Sequence, residues 1–345
     1  MAYTATDKPN AHNSSVLYTG NGGTQSITGV GFQPDIVWIK TRSTATYHSL
    51  SDAVNGTNLQ LGTNDSNAGD NFTTAITAFG SDGFSLGSNG NTNTGSRTFV
   101  GWNWKAGTTS GIATNGSTTI TPSAYSFNQT TGISIIKYTG NSTSGAKIAH
   151  GLGVKPDVMI VKATNAAYEW PVYHSSLGAT KLIELQSTAA ASTSSVSWND
   201  TEPDSVNFTV QANNRTNTGS VYVGYMFAEK QGYSKFSSYT GNGSTDGTFV
   251  YTGFKPSWLM IKVTNSVDSW RLWDNKRNTF NPMDITLRPN TTDGDYTASA
   301  NNIDFLSNGF KLRTTSGGYN GSSDTIAYMA FAENPFVTST GVPAC

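Results

Sequence analysis

A set of sequence landmarks occurs three times, in the same order, along the 345-residue chain. The string Tyr-Thr-Gly-Asn begins at Tyr18, Tyr138 and Tyr239. A proline follows in each copy, and a lysine stands six residues after it, with mostly aliphatic and aromatic residues between them. These proline-to-lysine segments are residues 34–40, 156–162 and 256–262. The three copies indicate three homologous repeats of about 100 residues each.

The later landmarks keep the same order. An aromatic segment comes first, then a segment containing phenylalanine, then an apolar closing run. The aromatic segments are 47–48, 170–174 and 270–274, the phenylalanine segments are 82–86, 207–210 and 308–312, and the closing runs are 99–104, 221–229 and 326–333.

The length of the repeat separates two architectures. Solenoid and propeller units of about 20–50 residues cannot stand alone, whereas a unit near 100 residues can bury its own core. We therefore expect three separate domains in a row rather than one closed ring. The predicted segments are an N-terminal arm (1–14), repeat 1 (15–106), a Thr/Ser/Gly-rich linker (107–131), repeat 2 (132–230), repeat 3 (231–336) and a C-terminal tail (337–345).

Each repeat has the sequence pattern of an all-β domain. The proline-to-lysine segments are short runs rich in β-branched and aromatic residues, which is typical of strands. The closing runs are apolar on both alternating faces, so they predict central strands that are covered on both sides. Clusters of Thr, Ser, Asn and Gly between these segments supply turns. The prediction is three tandem antiparallel β-sandwich modules, jelly-roll-like, with about six to nine strands each.

Five longer strings resemble a triple-repeat family from tailed bacteriophages, mostly of aquatic hosts. They are residues 18–22, 31–40, 170–180, 233–243 and 331–336. The resemblance covers about residues 15–336. It implies an uncharacterised virion protein of the tail or fibre type, with no catalytic residues that could be carried over to this chain.

Charge and composition exclude several classes. Lys and Arg number 21 against 22 Asp and Glu, so the chain lacks the basic field that nucleic-acid binders use. No apolar run is long enough to span a membrane, and no signal peptide is visible. The single cysteine is Cys345, which rules out an internal disulfide and a Cys-based metal site.

Catalytic chemistry has weak candidates. The four histidines are His12, His48, His150 and His174, and no Gly-x-Ser-x-Gly motif accompanies them. His48 and His174 hold corresponding places by inspection, where repeat 3 has Asp274. We interpret all four histidines as surface or loop residues.

Carboxylates also invite a functional interpretation. Glu229 and Glu333 match each other across repeats, and a structural acceptor at a strand end is the favoured role. The short acidic segment Asp293-Gly-Asp295 resembles a Ca²⁺ loop without its bidentate glutamate, so a polar turn is expected there. We predict no enzyme activity, no cofactor and no metal.

The aromatic segments are the best candidates for a ligand site. Trp170 and Tyr173 are three residues apart, as are Trp270 and Trp273, so one member of each pair is expected in the core and the other outside. An outward ring beside Asp274 could stack on a sugar and hydrogen-bond its hydroxyls. The alternative is that both members serve packing or subunit contacts.

These observations predict a non-enzymatic phage virion protein. A tail or fibre component with host-surface carbohydrate binding is favoured, and a capsid decoration or cement protein is the alternative. The weakly charged surface suits assembly with other copies and other virion proteins. We expect localisation in the virion, with no nucleic-acid partner and no membrane insertion.

Overall fold

The computed structural model describes residues 4–338 and 340–341. Cys345 and parts of the predicted N-terminal arm and C-terminal tail lie outside the described residues. As predicted, the described chain is all-β and contains several antiparallel sheets. The helical turns in this part of the chain are α1 (Gly90–Asn93), α2 (Gly317–Asn320) and two 3₁₀ turns (Pro9–Ala11 and Ser299–Asn301).

The strands follow the repeats. In and beside repeat 1 they are β1 (Asn13–Thr19), β2 (Gln25–Ile27), β3 (Ile36–Thr41), β4 (Ser49–Asp52), β5 (Leu59–Gln60), β6 (Asp70–Asn71), β7 (Ile76–Gly80), β8 (Gly83–Leu86) and β9 (Thr98–Trp104). In and beside repeat 2 they are β10 (Ala124–Asn128), β11 (Ile133–Thr139), β12 (Ala146–Ala149), β13 (Val158–Ala163), β14 (Pro171–His174), β15 (Lys181–Glu184), β16 (Ser192–Thr193), β17 (Asn207–Val210) and β18 (Val221–Phe227). In repeat 3 they are β19 (Ser234–Thr240), β20 (Phe249–Tyr251), β21 (Phe254–Val263), β22 (Arg271–Asp274), β23 (Ile285–Thr286), β24 (Tyr296–Thr297), β25 (Ile303–Leu306), β26 (Gly309–Leu312) and β27 (Thr325–Pro335).

One strand order recurs in the main sheets. The orders are β1-β9-β3-β4, then β11-β18-β13-β14 within a seven-stranded sheet, then β19-β27-β21-β22. The proline-to-lysine segments form β3, β13 and β21, and the closing runs form β9, β18 and β27, as predicted. Each closing strand lies between two neighbours and is largely buried on both faces, which explains why both faces are apolar.

A second, smaller sheet covers one face of each main sheet. These sheets are β2-β8-β7, β12-β17 and β20-β26-β25. An apolar cluster with members from both sheets fills the space between them in each repeat, centred on Phe84, Phe208 and Phe310 respectively. Such packing of two sheets face to face around an apolar layer is typical of β-sandwiches.

The other face of each main sheet is buried against the other repeats. One apolar cluster, here called the shared core, contains Trp104 of repeat 1, Phe227 of repeat 2 and Phe331 of repeat 3. The Phe331 ring lies 5.8 Å from the Trp104 ring and 5.9 Å from the Phe227 ring. The repeats therefore pack against one another, unlike the three separate domains predicted from the sequence. Each main sheet has a second apolar face, and this face is covered by neighbouring repeats rather than by water.

The segment predicted as a linker, residues 107–131, is docked on the fold. It contains β10, which pairs with β11 at one edge of the main sheet of repeat 2. The Ser126 hydroxyl donates to Asp35 Oδ1 of repeat 1 at 2.8 Å. This segment therefore contributes a strand and an inter-repeat hydrogen bond, which its composition alone did not indicate.

The described part of the predicted N-terminal arm is also docked. Ala5 N donates to Gln231 O at 2.9 Å, and the Thr4 hydroxyl reaches the same oxygen at 3.2 Å. Thr4 is buried. The arm thus lies against the beginning of repeat 3.

The Tyr-Thr-Gly-Asn string closes the same turn in every repeat. In repeat 1, the Tyr18 hydroxyl donates to Thr92 O at 2.7 Å. The buried Asn93 side chain accepts from Asn21 N at 2.9 Å and donates to Asn21 Oδ1 at 3.0 Å. A Cβ at Gly20 would lie 2.3 Å from a backbone oxygen, so only glycine fits there. The equivalent hydrogen bonds are made by Tyr138, Asn141 and Asn217 and by Tyr239, Asn242 and Asn320.

Candidate functional site

The five residues expected to bind carbohydrate are buried. They are Trp170, Tyr173, Trp270, Trp273 and Asp274. Tyr173 and Trp273 lie in the cores of their own repeats, whereas Trp170 and Trp270 lie in the shared core. The members of each pair point to opposite faces, as predicted, but the expectation that one of them is exposed is wrong. A neighbouring repeat covers the second face, so these rings are not open to a sugar.

Trp170 and Trp270 hold the same place as His48. Each of the three lies four residues before the residue that pairs with Val158, Trp258 or Ile36, the second residue after the proline of its repeat. Trp170 Nε1 donates to Asp65 O at 3.0 Å, and Trp270 Nε1 donates to Glu184 O at 2.9 Å. His48 Nε2 lies 3.0 Å from Arg288 O. Each side chain therefore reaches a backbone oxygen of another repeat.

The pairing corrects the expected correspondence of His48 with His174. His174 aligns with Asp52 and Asp274, because these three residues pair with equivalent positions of β13, β3 and β21. Tyr225 donates to Asp52 Oδ2 at 2.8 Å, and Trp102 Nε1 donates to Asp274 Oδ2 at 3.0 Å. This position also links different repeats in every case.

The His48 and His174 rings are neutral, and each contacts a backbone oxygen of another repeat. His48 Nδ1 accepts from Trp38 Nε1 at 3.0 Å, so Nε2 carries the proton that faces the Arg288 oxygen. His174 Nε2 likewise faces Tyr328 O at 3.1 Å. Burial lowers the pKa of His48 well below its usual range and that of His174 to about 4. His48 and His150 lie in loops, although both are buried, whereas His174 is a buried strand residue. The expectation of surface or loop histidines is therefore wrong for His174.

Asp274 belongs to a buried ion pair. Its carboxylate contacts the Arg277 guanidinium, and both side chains are fully buried. Burial alone would raise the pKa of Asp274, but the Arg277 charge and its hydrogen bonds bring it below the usual value. Arg277 Nη1 also contacts Asp295 Oδ1 at 3.1 Å, and Asp295 pairs with Arg42 of repeat 1 at 2.8 Å. Asp295 thus meets two guanidinium groups, and its neighbour Asp293 meets a third, that of Arg288, at 3.7 Å.

The lysines Lys40, Lys162 and Lys262 are buried at the same interfaces. Lys162 Nζ donates to Ser66 O of repeat 1 at 2.9 Å, and Lys262 Nζ donates to Thr188 O of repeat 2 at 3.3 Å. Burial lowers the pKa of each of the three lysines to about 8. Their ammonium groups are held by backbone oxygens, and those of Lys162 and Lys262 each bind an oxygen of another repeat.

The two glutamates that match across repeats lie in ion pairs, and no metal-binding cluster is found among the described residues. Glu229 and Glu333 each form an ion pair with a lysine, at 2.6 Å with Lys235 and at 2.8 Å with Lys255. Within residues 4–338 and 340–341, no group of three or more His, Cys, Asp or Glu side chains could hold a metal ion. No helix there has the length and apolar character needed to cross a membrane.

Exposed aromatic side chains are concentrated in repeat 3. Among the described residues with large exposed apolar side chains, the aromatic ones are Tyr47 in repeat 1 and Phe249, Tyr251, Phe280, Tyr296 and Phe336 in repeat 3. Phe249 and Tyr251 are the two outward positions of β20, which is an edge strand. Their side chains are 44% and 59% exposed.

Tyr251 lies at a surface groove of about 400 Å³, here called the repeat-3 groove. Its lining includes Glu229, Gln231, Lys235, Tyr251 and Phe336. The groove combines aromatic rings with polar groups of both hydrogen-bonding kinds. Its volume lies in the range of about 300–1,000 Å³ that is usual for small-molecule sites.

Backbone hydrogen bonds fix the wall of this groove. Thr252 N and Gly253 N both donate to Asn308 O, at 3.0 and 3.2 Å. Phe336 N donates to Gly253 O at 3.1 Å, which ties the end of β27 to the end of β20. A Cβ at Gly253 would lie 3.5 Å from the Tyr251 hydroxyl oxygen, so this residue adjoins the tyrosine. The aromatic side chains therefore stand on anchored backbone.

A related groove lies where repeat 3 meets repeat 1. It has a volume of about 360 Å³ and is lined by Glu333, Ser14, Gly29 and Gly31 among others. Glu333 corresponds to Glu229, because Phe331 and Phe227 hold equivalent register positions two residues earlier. No aromatic side chain lines this second groove among the described residues. Both grooves therefore include the glutamate at the end of a closing run, and the repeat-3 groove differs by having aromatic residues in its lining.

A family model matches residues 8–335, and its description is "Domain of unknown function (DUF7483)". The chain belongs to this family. The DUF7483 match extends through all three repeats, so it includes every part of the shared core. No curated protein and no solved structure matches the chain.

The sequence reasoning missed the repeat-3 groove. Phe249 and Tyr251 belong to a three-residue strand without a recognisable motif. Strand pairing places Ser26 and Thr28 of repeat 1 at the positions of these two aromatics. The replacement of polar residues by aromatic ones at outward positions is therefore visible only once the register of the strands is known.

Proposed function

We propose that this protein is a non-enzymatic structural component of a phage virion, of the tail or fibre type, that binds the host surface through carbohydrate. Three tandem β-sandwich modules form one body around the shared core, and repeat 3 provides the recognition surface. The phage assignment rests on the resemblance of the repeat strings.

The concentration of exposed aromatics in repeat 3 carries the recognition part of this proposal. Five of the six exposed aromatic side chains found in the described chain lie between Phe249 and Phe336. Exposed aromatic groups beside polar ones are typical of binding sites, because a ring offers contact area at a small entropic cost. An attachment protein is expected to collect them on one module.

The closed arrangement of the repeats supports the structural part. His48, Trp170 and Trp270 each hydrogen-bond to another repeat, and the buried Arg277–Asp274 pair lies at the contact between repeats 1 and 3. Such contacts suit a rigid particle component.

Capsid decoration is the second candidate function. The predicted ligand residues Trp170 and Trp270 are buried at contacts between repeats, and burial of aromatics at contacts is what a purely structural role requires. In that case the exposed aromatics of repeat 3 would meet another virion protein.

Binding of the labelled, purified protein to intact candidate host cells tests the proposal. We expect saturable binding that a free sugar removes. Absence of binding to every permissive host, with the protein folded and assembled, would favour the decoration role. Mass spectrometry of purified particles of the encoding phage tests virion membership separately.

A further inference from the structure

We infer that the repeat-3 groove and the adjoining outward face of β20 bind a neutral oligosaccharide. Tyr251, which lines the groove, and Phe249, which lies beside it on the same face of the strand, form the stacking platform. This inference deepens the proposed function by assigning a site and a ligand class to it. It rests on the position of these residues, on the groove beside them and on the comparison of the three repeats.

The repeats supply an internal control for the platform. The positions of Phe249 and Tyr251 correspond to Ser26 and Thr28 in repeat 1, because β2 and β20 pair with β8 and β26 in the same register. Ser26 and Thr28 are exposed polar residues. The fold therefore accepts small polar side chains here, and the aromatics of repeat 3 are not required by packing.

Repeat 2 closes its equivalent edge. There the matching residues are Lys147 and Ala149 of β12. Thr119 N and Ile120 N of the preceding segment both donate to Lys147 O, at 2.9 and 3.0 Å. Repeat 3 is thus the repeat that combines an uncovered edge with aromatic side chains on it.

A charged pair in the lining of the groove favours a neutral polyhydroxyl ligand. Glu229 Oε1 and Lys235 Nζ lie 2.6 Å apart, and both side chains remain about one-third exposed. Their charges compensate each other, so the pair offers hydrogen-bond acceptors and donors without a net charge. A carboxylate can accept from sugar hydroxyls while the ammonium donates to neighbouring oxygens.

Backbone hydrogen bonding disfavours a second chain at this edge. An exposed apolar edge strand can pair with another strand through its free backbone groups. Beyond Tyr251, however, Thr252 N and Gly253 N already donate to Asn308 O, and Gly253 O accepts from Phe336 N. A ligand at this surface would therefore contact side chains rather than pair with a long free backbone edge.

The test compares two variants with the wild-type protein on an array of neutral mono- to tetrasaccharides, followed by calorimetric titration of the best-bound glycan. The double variant Phe249→Ser, Tyr251→Thr installs the residues of repeat 1. Phe280→Ser is the matched control, because Phe280 is 84% exposed and lines a different depression. Circular dichroism and thermal unfolding establish that each variant is folded.

We expect the double variant to raise the Kd at least tenfold and Phe280→Ser to leave it unchanged, since two stacking contacts are lost in the first case only. Equal affinity of the double variant and the wild type would overturn the inference. So would a wild-type protein that binds no neutral glycan. A wild-type dimer that the double variant converts to monomer would assign the edge to a second copy instead.

The host-cell assay separates this inference from the proposed function. If the wild type and the double variant bind cells equally, attachment stands and the groove assignment fails. If the wild type binds the array but no permissive cell, the groove assignment stands and the attachment role fails.

Discussion

The buried faces of the main sheets, where the repeats meet, differ from the exposed edges of the smaller sheets in the side chains that they permit. At the inner position shared by His48, Trp170 and Trp270, each side chain reaches a backbone oxygen of another repeat. At the outer position shared by Ser26 and Phe249, the residues have no chemical property in common. A buried polar group must keep its hydrogen bond, whereas an exposed position is free to diverge. Differences among the outer edges are therefore the better guide to function.

The largest effect is expected at the inner ion pair. Asp274→Ala should lower the free energy of unfolding by about 3–5 kcal/mol, because it leaves the buried Arg277 with a weaker set of partners. Denaturant titration measures this value. Asp246→Ala is the matched control, since Asp246 pairs with Lys311 at an exposed surface and its loss should not be measurable. Equal stability of the two variants would contradict the role given to the inner pair.

The next largest effect is the pH dependence of folding stability that results from burial of His174. Burial lowers the pKa of His174 to about 4, against about 6.5 in an unfolded chain. The folded state keeps the His174 ring neutral. The contribution of His174 to folding stability is therefore fully present above about pH 6.5 and is lost as the pH falls towards about 4. The shift corresponds to about 3 kcal/mol.

Denaturant titrations at several pH values between 7 and 4 measure this loss, with His174→Gln as the comparison. The wild type should lose more stability than the variant over that window. Parallel pH curves for the two proteins would show that His174 does not titrate as its burial requires.

A smaller effect isolates one hydrogen bond between repeats. Trp170→Phe keeps an aromatic ring in the shared core but removes the bond from Nε1 to Asp65 O, at a cost of about 1–2 kcal/mol. Trp198→Phe is the control, because Trp198 is equally buried and its Nε1 has no hydrogen-bond partner among the described residues. The two variants should differ in unfolding free energy by about the strength of that bond. No difference would mean that the inner bond adds nothing to the contact.

The smallest effect is expected at the outer edge. Phe249→Ser with Tyr251→Thr should change the unfolding free energy by no more than about 0.5 kcal/mol, since both side chains are exposed. Phe310→Ser, in the neighbouring strand of the same sheet, should cost about 3–5 kcal/mol because Phe310 is fully buried. Thermal unfolding compares them. A large loss of stability in the double variant would instead show that Phe249 and Tyr251 contribute to the core.

The strands of each repeat could be predicted from the sequence because their signals are local. Proline at the entry, β-branched residues and a lysine at the end define β3, β13 and β21 without reference to the rest of the chain. The apolar character of both faces of β9, β18 and β27 was visible too.

The partners of those faces could not be predicted. Alternation shows that a face is apolar, but it does not show whether a sheet, another repeat or a ligand covers it. Alternation therefore predicts one outward ring in each of the pairs that contain Trp170 and Trp270, although the shared core contains both of these residues. His48 was aligned with His174 because residue type was matched, whereas strand pairing aligns it with Trp170. Long-range register is a property of the folded sheets, and Phe249 and Tyr251 became recognisable as a site through that register alone.

The shared core has a consequence for synthesis on the ribosome. Repeats 1 and 2 emerge first, and they bring Trp104 and Phe227 into place before Trp258 and Phe331 exist. Until the C-terminal third of the chain emerges, the apolar side chains of repeats 1 and 2 in the shared core lack the partners that repeat 3 supplies. Incomplete chains that end after repeat 2 are therefore prone to associate through those side chains, and productive folding depends on how quickly the last repeat follows the first two.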